Sequence, residues 1–138
     1  MRFQKLGLML ACALLVCVCA FVRALQISAF EGFQGERTFY LHSASSQAQI
    51  KRTLSLSDFD DIKGESITLN EKIDLESVLK KYDAYIVMEE TCGETTSYYC
   101  YSPRFFRGVT LGGKRVNLHI AIGAETTTLG TPIIFGGF

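Results

Sequence analysis

Apolar residues run together at the start of this chain, recur at helical spacing near its middle, and alternate with polar ones toward its end. Residues 6–22 are 17 uncharged, almost wholly apolar positions behind Arg2 and Lys5. A charged start, an apolar stretch and small residues spaced for cleavage describe an export leader. Val22-Arg23-Ala24 meets that spacing best, making residues 1–24 a signal peptide and Leu25 the first mature residue; Val18-Cys19-Ala20 is a second site. Left uncleaved, residues 6–22 would be an N-terminal membrane anchor, short for a hydrocarbon core of about 30 Å at about 1.5 Å per residue. A lipid-modified cysteine is a third option, but Cys12 comes too early in the run and Cys17 and Cys19 each follow Val.

Beyond the leader, residues 38–42 alternate enough for a strand, with Phe39 and Leu41 on one face. Ser43, Ser45 and Ser46 offer N-cap oxygens for a surface helix over residues 47–54, and residues 66–69 read as a short strand. Helical spacing is clearest over residues 75–81. There Asp74 is the N-cap, Leu75, Val78 and Leu79 share a stripe, and Lys80 and Lys81 face the last carbonyls. Residues 84–88 are too continuously apolar for a one-sided surface strand. Residues 96–102 form another strand, ended by Pro103, and Gly112-Gly113 turns strand 105–111 into strand 114–122. In the second of these, Val116, Leu118, Ile120 and Ile122 take the core face, leaving Asn117, His119 and Ala121 for water or a helix. Residues 126–129 add a strand, and Pro132 places 133–135 at an edge or after the proline. The expected fold is α+β, a single domain over residues 25–138 with an antiparallel sheet of about five strands and one or two packed helices. An all-β sandwich is the alternative.

Charge changes this picture once the leader is set aside. Residues 1–24 carry three basic groups and no acid, so a formally neutral chain leaves 11 Lys and Arg against 14 Asp and Glu, a net charge of −3. That excludes a general nucleic-acid binder, which should be clearly basic. Residues 58–94 hold 11 acidic and 4 basic positions, whereas residues 95–124 hold Arg104, Arg107, Lys114 and Arg115 and no acid. Tyr98, Tyr99, Tyr101, Phe105 and Phe106 flank Arg104 and Arg107, some of them for the core and the others for an interface; Tyr99 and Tyr101 with the four cations form a candidate partner-binding patch for an anionic surface or an extracytoplasmic protein. Compensation between the two charged faces is the plainer explanation. Membrane contact is expected through the N-terminal segment.

Cys92 and Cys100 survive removal of the leader, and in an oxidising compartment a pair reads first as a disulfide. A loop centred near Thr96 would set them opposite each other; a tight turn at Gly93-Glu94 would instead pair Cys92 with Thr95 and prevent the bridge. The spacing specifies no redox motif, metal or cofactor site. Asp58, Asp60 and Asp61 lack the calcium-loop pattern and read as an acidic cap or turn. Glu89 and Glu90 point to opposite faces of their strand, which argues against one acid–base pair. His119 reads as an exposed sheet histidine, and His42 shares a face with Thr38 and Tyr40.

Tyr101-Ser102-Pro103, the run Gly113-Lys114-Arg115-Val116-Asn117-Leu118-His119-Ile120-Ala121-Ile122, and Leu129-Gly130-Thr131-Pro132-Ile133-Ile134 resemble the closing region of the YwmB-like secreted proteins of spore-forming and related bacteria. The resemblance implies an exported protein with a fold like the TATA-box-binding type, and it implies neither a catalytic set nor DNA binding. Residues 124–128 are compressed relative to that pattern. The functional expectation is a small extracytoplasmic binding or structural module. The alternative is a small secreted hydrolase whose His119 or His42 meets a carboxylate in one cleft.

Overall fold

The computed structural model describes residues 1–26, 28–43 and 48–135. Its first element is helix α1 (Arg2–Gln26), and residues 5–21 are exposed on every side of it. Among the described residues no helix is long and apolar enough to cross a membrane. The remainder is α+β. Strands β1 (Glu36–Leu41), β2 (Gln49–Lys51), β3 (Ile62–Leu69), β4 (Tyr85–Cys92), β5 (Thr95–Tyr101), β8 (Leu118–Ile122) and β9 (Thr127–Thr131) build an antiparallel sheet in the order β2-β1-β3-β9-β8-β5-β4. A separate hairpin joins β6 (Val109–Leu111) to β7 (Lys114–Val116). The sheet has seven strands where about five were expected; β2, read from the sequence as part of a helix, enters the ladder beside β1, while the region 105–116 leaves the sheet for the separate hairpin.

One sheet face carries the core. Ile67, Leu69, Cys100, Leu118, Ile120 and Leu129 point to this side and meet Val78 and Tyr82 of α2 (Leu75–Tyr82) together with Phe30. Helix α2 forms where expected: the Asp74 carboxylate accepts the Ser77 N–H at 2.9 Å, satisfying a first-turn donor. Asp83 closes it in the left-handed region at φ 52°. Leu75 and Leu79 flank the buried Val78, as the helical spacing predicts.

The segment entering the sheet is clamped. Glu65 is only 6% exposed, accepts from the Ser28 hydroxyl and the Ala29 N–H (3.0 Å), and lies 3.6 Å from the Arg37 guanidinium. Arg37 also donates to the carbonyls of Phe33 (2.9 Å) and Phe30 (3.3 Å). A buried carboxylate is tolerated when a cation and N–H groups face it, and here the arrangement drives Phe30 fully into the core.

Four local expectations change. Gln49–Lys51 is a strand paired with β1, Ile50 opposite Tyr40, rather than part of a helix; the serine-rich stretch at 44–47 lies outside the described residues. β4 is not buried on two faces: it is the sheet's exposed outer strand, with its register shifted between Ile86 and Met88. Asn117 divides the expected strand 114–122 into β7 and β8. Residues 132–135 do not form a strand; they fold over the second sheet face, Phe135 packing on Tyr40 with ring centres 5.0 Å apart and Ile134 packing on Gly130. A Cβ at Gly130 would sit 2.6 Å from the Ile134 side chain, so that approach requires glycine.

Candidate binding surface

The loop after β5 is held from beneath. Ser102 is fully buried, donates its hydroxyl to the Tyr82 carbonyl (2.5 Å) and accepts the Arg104 N–H (3.1 Å). Asn117, also fully buried, accepts the Ser102 N–H at 2.7 Å and donates to the carbonyls of Ser102 (2.7 Å) and Phe105 (2.9 Å). One amide thus replaces a missing ladder across the loop, and every partner agrees on which end is oxygen. Phe105 turns inward, its ring 5.2 Å from Tyr82 and 6.1 Å from Phe30. With Phe105 committed to the core, Arg104 and Phe106 are turned out, and Phe106 is 94% exposed.

From the hairpin side, the Arg115 guanidinium donates to the Phe106 carbonyl at 3.0 Å. Gly108 permits that crossing, since a Cβ there would meet the Arg115 side chain at 2.9 Å. Arg104, Arg107, Lys114 and Arg115 are all exposed, and among the described residues none of them forms an ion pair.

The six residues of the expected patch do not form one surface. Tyr101, Lys114 and Arg115 share a groove of about 590 Å³ with Tyr85, Ile86 and Val87, where the Tyr85 and Tyr101 rings lie 5.7 Å apart. Arg104 borders a second hollow with Ser28, Lys81 and Phe105. Tyr99 leaves the patch and stacks on His119, ring centres 4.4 Å apart at 26°. Burial, and after it the Glu90 carboxylate, push the Tyr99 phenol above its ordinary value. Sequence reasoning missed Tyr85. It placed Phe105 and Phe106 together beside Arg104 and Arg107, and the structure divides them, Phe105 against the core and Phe106 outside, because neighbours in an extended loop cannot both face one core.

His119 is not the exposed sheet histidine expected. It is 2% exposed and accepts the Ile134 N–H on Nδ1 at 3.2 Å, because residues 132–135 cover the face that alternation assigned to water. Burial lowers its pKa to about 4, so the ring is neutral at pH 7. His42 stands at the surface with φ 64°, 3.7 Å from the Asp61 carboxylate and 3.2 Å from the Gln49 side-chain oxygen. Among the described residues no three His, Cys, Asp or Glu side chains gather as a metal site.

The expected Cys92–Cys100 bridge is corrected by the register. The turn at Gly93-Glu94 is tight, so Cys92 lies opposite Thr95 and Cys100 opposite Ile86, and both are free thiols. Cys92 is exposed, whereas Cys100 is fully buried and its thiol pKa is pushed up to about 12 by that burial. Iodoacetamide at neutral pH should therefore alkylate Cys92 in the folded protein and Cys100 only after denaturant is added. Peptide mapping that finds neither labelled before reduction would restore the bridge.

Fold and surface together define an α+β protein whose most distinctive exposed chemistry is a cationic, aromatic loop held up by a buried polar network. No family model matches the chain, and comparisons with curated proteins and with solved structures likewise find no match.

Proposed function

We propose that this protein is a small extracytoplasmic binding module that engages an anionic surface or acidic partner through the loop at residues 103–108 and the adjoining hairpin. The observation that carries this reading is the exposure of Arg104 and Arg107 on either side of a Phe106 that is 94% exposed, with Arg115 bonded to the Phe106 carbonyl and none of the three in an ion pair among the described residues. A chain with a net acidic remainder gains nothing in solubility from grouping its cations there; a patch of one sign concentrates oppositely charged ligands. The network under the loop supports the same reading, since a pre-positioned site loses less conformational entropy on binding. An apolar α1 exposed on every side fits the export leader or anchor expected from residues 6–22, and kinship with the YwmB-like secreted proteins belongs to the same proposal.

Binding of a fluorescent polyaspartate to the full chain tests it. Affinity should fall steeply with salt, and Arg104→Glu combined with Arg107→Glu should weaken it at least about ten-fold, since each exposed cation–carboxylate pair contributes up to about 1 kcal/mol and charge reversal adds repulsion. Equal affinity in parent and double variant would remove the loop from any anion-binding role.

A further inference from the structure

The charged loop stands close to the place where α1 joins the rest of the protein. α1 ends at Gln26, and Ser28 is already fixed by its bonds with Glu65 and Arg37. Two residues of chain span at most about 7 Å, so the end of the apolar helix is tethered within that distance of Ser28 whatever direction the helix takes. Ser28 and Ala29 line the same hollow as Lys81, Arg104 and Phe105. Two residues beyond Arg104 is the exposed Phe106, followed by Arg107, with Arg115 bonded to the Phe106 carbonyl.

Each part of this region suits a bilayer boundary. α1 offers apolar surface on all sides with Arg2 and Lys5 at one end and Arg23 at the other. An exposed aromatic ring between arginines can sink to the headgroup level while the guanidinium groups bond phosphates. Lys81 is less available, since its ammonium already lies 4.1 Å from the Phe33 ring and donates to the Glu31 carbonyl. The outward contact therefore falls to Arg104, Phe106 and Arg107.

We infer that the loop at residues 103–108 docks on an anionic phospholipid bilayer beside α1, with Phe106 in the interface and Arg104 and Arg107 on lipid phosphates. This rests on the anion-binding reading above and narrows it to one partner. α1 supplies attachment that is indifferent to lipid charge, and the loop adds a charge-dependent contact that sets how the sheet faces the membrane.

The chain has no tryptophan, so Phe106→Trp places a single reporter at the proposed contact. The full-length variant is mixed with vesicles of phosphatidylcholine, alone or with phosphatidylglycerol, and with polyaspartate. Phosphatidylglycerol vesicles should shift the emission of the introduced indole to the blue, and lipids brominated on their acyl chains should quench it. Adding Arg104→Glu and Arg107→Glu should abolish the shift and the bromine quenching on phosphatidylglycerol vesicles, while α1 still holds the protein on both kinds of vesicle. Water-like emission on every vesicle, combined with salt-sensitive polyaspartate binding, would overturn the bilayer contact and leave the anion-binding reading standing. Loss of polyaspartate binding as well would overturn both. A blue shift of equal size on phosphatidylcholine alone, or one that persists in the arginine variants, would show α1 acting without the cationic loop and would also overturn the inference.

Discussion

Replacing Asn117 by alanine is expected to lower the unfolding free energy by about 3 kcal/mol or more, far beyond what an amide on a solvent-facing strand position would contribute. Removing the side chain strands the Ser102 N–H and the carbonyls of Ser102 and Phe105, all within 2.9 Å of the amide. Each buried polar group left without a partner costs about 1–3 kcal/mol. Asn117→Asp offers no relief, because it keeps the acceptor for Ser102 but turns a carboxylate oxygen toward two carbonyls. Urea unfolding of both variants checks the stability effect. A loss below about 1 kcal/mol for alanine would mean that water replaces the amide and that the loop is not held as described. Polyaspartate binding should also weaken in Asn117→Ala although every cation remains, since the network positions Arg104 through Ser102 and directs Phe105 inward. Charge reversal and loss of support are thus separable: the first alters the salt dependence, the second the geometry at constant charge.

Acidification from pH 7 to pH 4 is expected to remove about 3 kcal/mol of stability through His119 alone. The unfolded imidazole takes up a proton near its ordinary value of 6.5, whereas the folded one does so only near 4. Between those values the unfolded chain binds more protons, so stability rises with pH across the interval. The contribution is complete above about pH 6.5, is lost progressively on the way down to 4, and is flat below. A difference of roughly 2.5 units at about 1.36 kcal/mol per unit sets the size. The structural event is local: a protonated Nδ1 can no longer accept the Ile134 N–H, so the cover formed by residues 132–135 loses its tie to β8. The hydrogen-exchange protection factor of the Ile134 amide, measured against its intrinsic rate at each pH, should fall over the same range. Asp58 titrates elsewhere, its carboxyl held at about 2 by hydrogen bonds from the Lys51 side chain and from Ser55. His119→Gln should flatten the stability profile between pH 4 and 6.5, and a variant that kept the parent's slope would assign the acid sensitivity to other groups.

Much of the fold was legible because its signals are local. Asp74 announces the α2 start through a hydroxyl and an amide three residues away, and Gly112-Gly113 both adopt positive φ in the β6–β7 turn. The alternation from Val116 to Ile120 marks the core face correctly, with Val116, Leu118 and Ile120 fully buried. Local signals misled where a second layer arrives from far along the chain. Asn117 and His119 hold the polar parity yet are as buried as their apolar neighbours, one beneath the loop at residues 103–108 and the other beneath residues 132–135. The run at residues 84–88 has the composition of an inner strand, but β4 pairs only with β5 in the sheet and lies exposed beyond it.

By itself the sequence determined the apolar run at residues 6–22, the division of charge between residues 58–94 and 95–124, the α2 cap and stripe, and an α+β class. These depend on composition and on neighbours within one or two turns or hairpins. Only the tertiary structure decided that Cys92 and Cys100 lie at different levels of one hairpin, that Tyr99 serves His119 rather than the patch, and that Phe106 is outside because Phe105 is inside. Which side of a strand meets water, and which cations share a surface, depend on segments that approach from dozens of residues away, and periodicity within one segment carries no record of them.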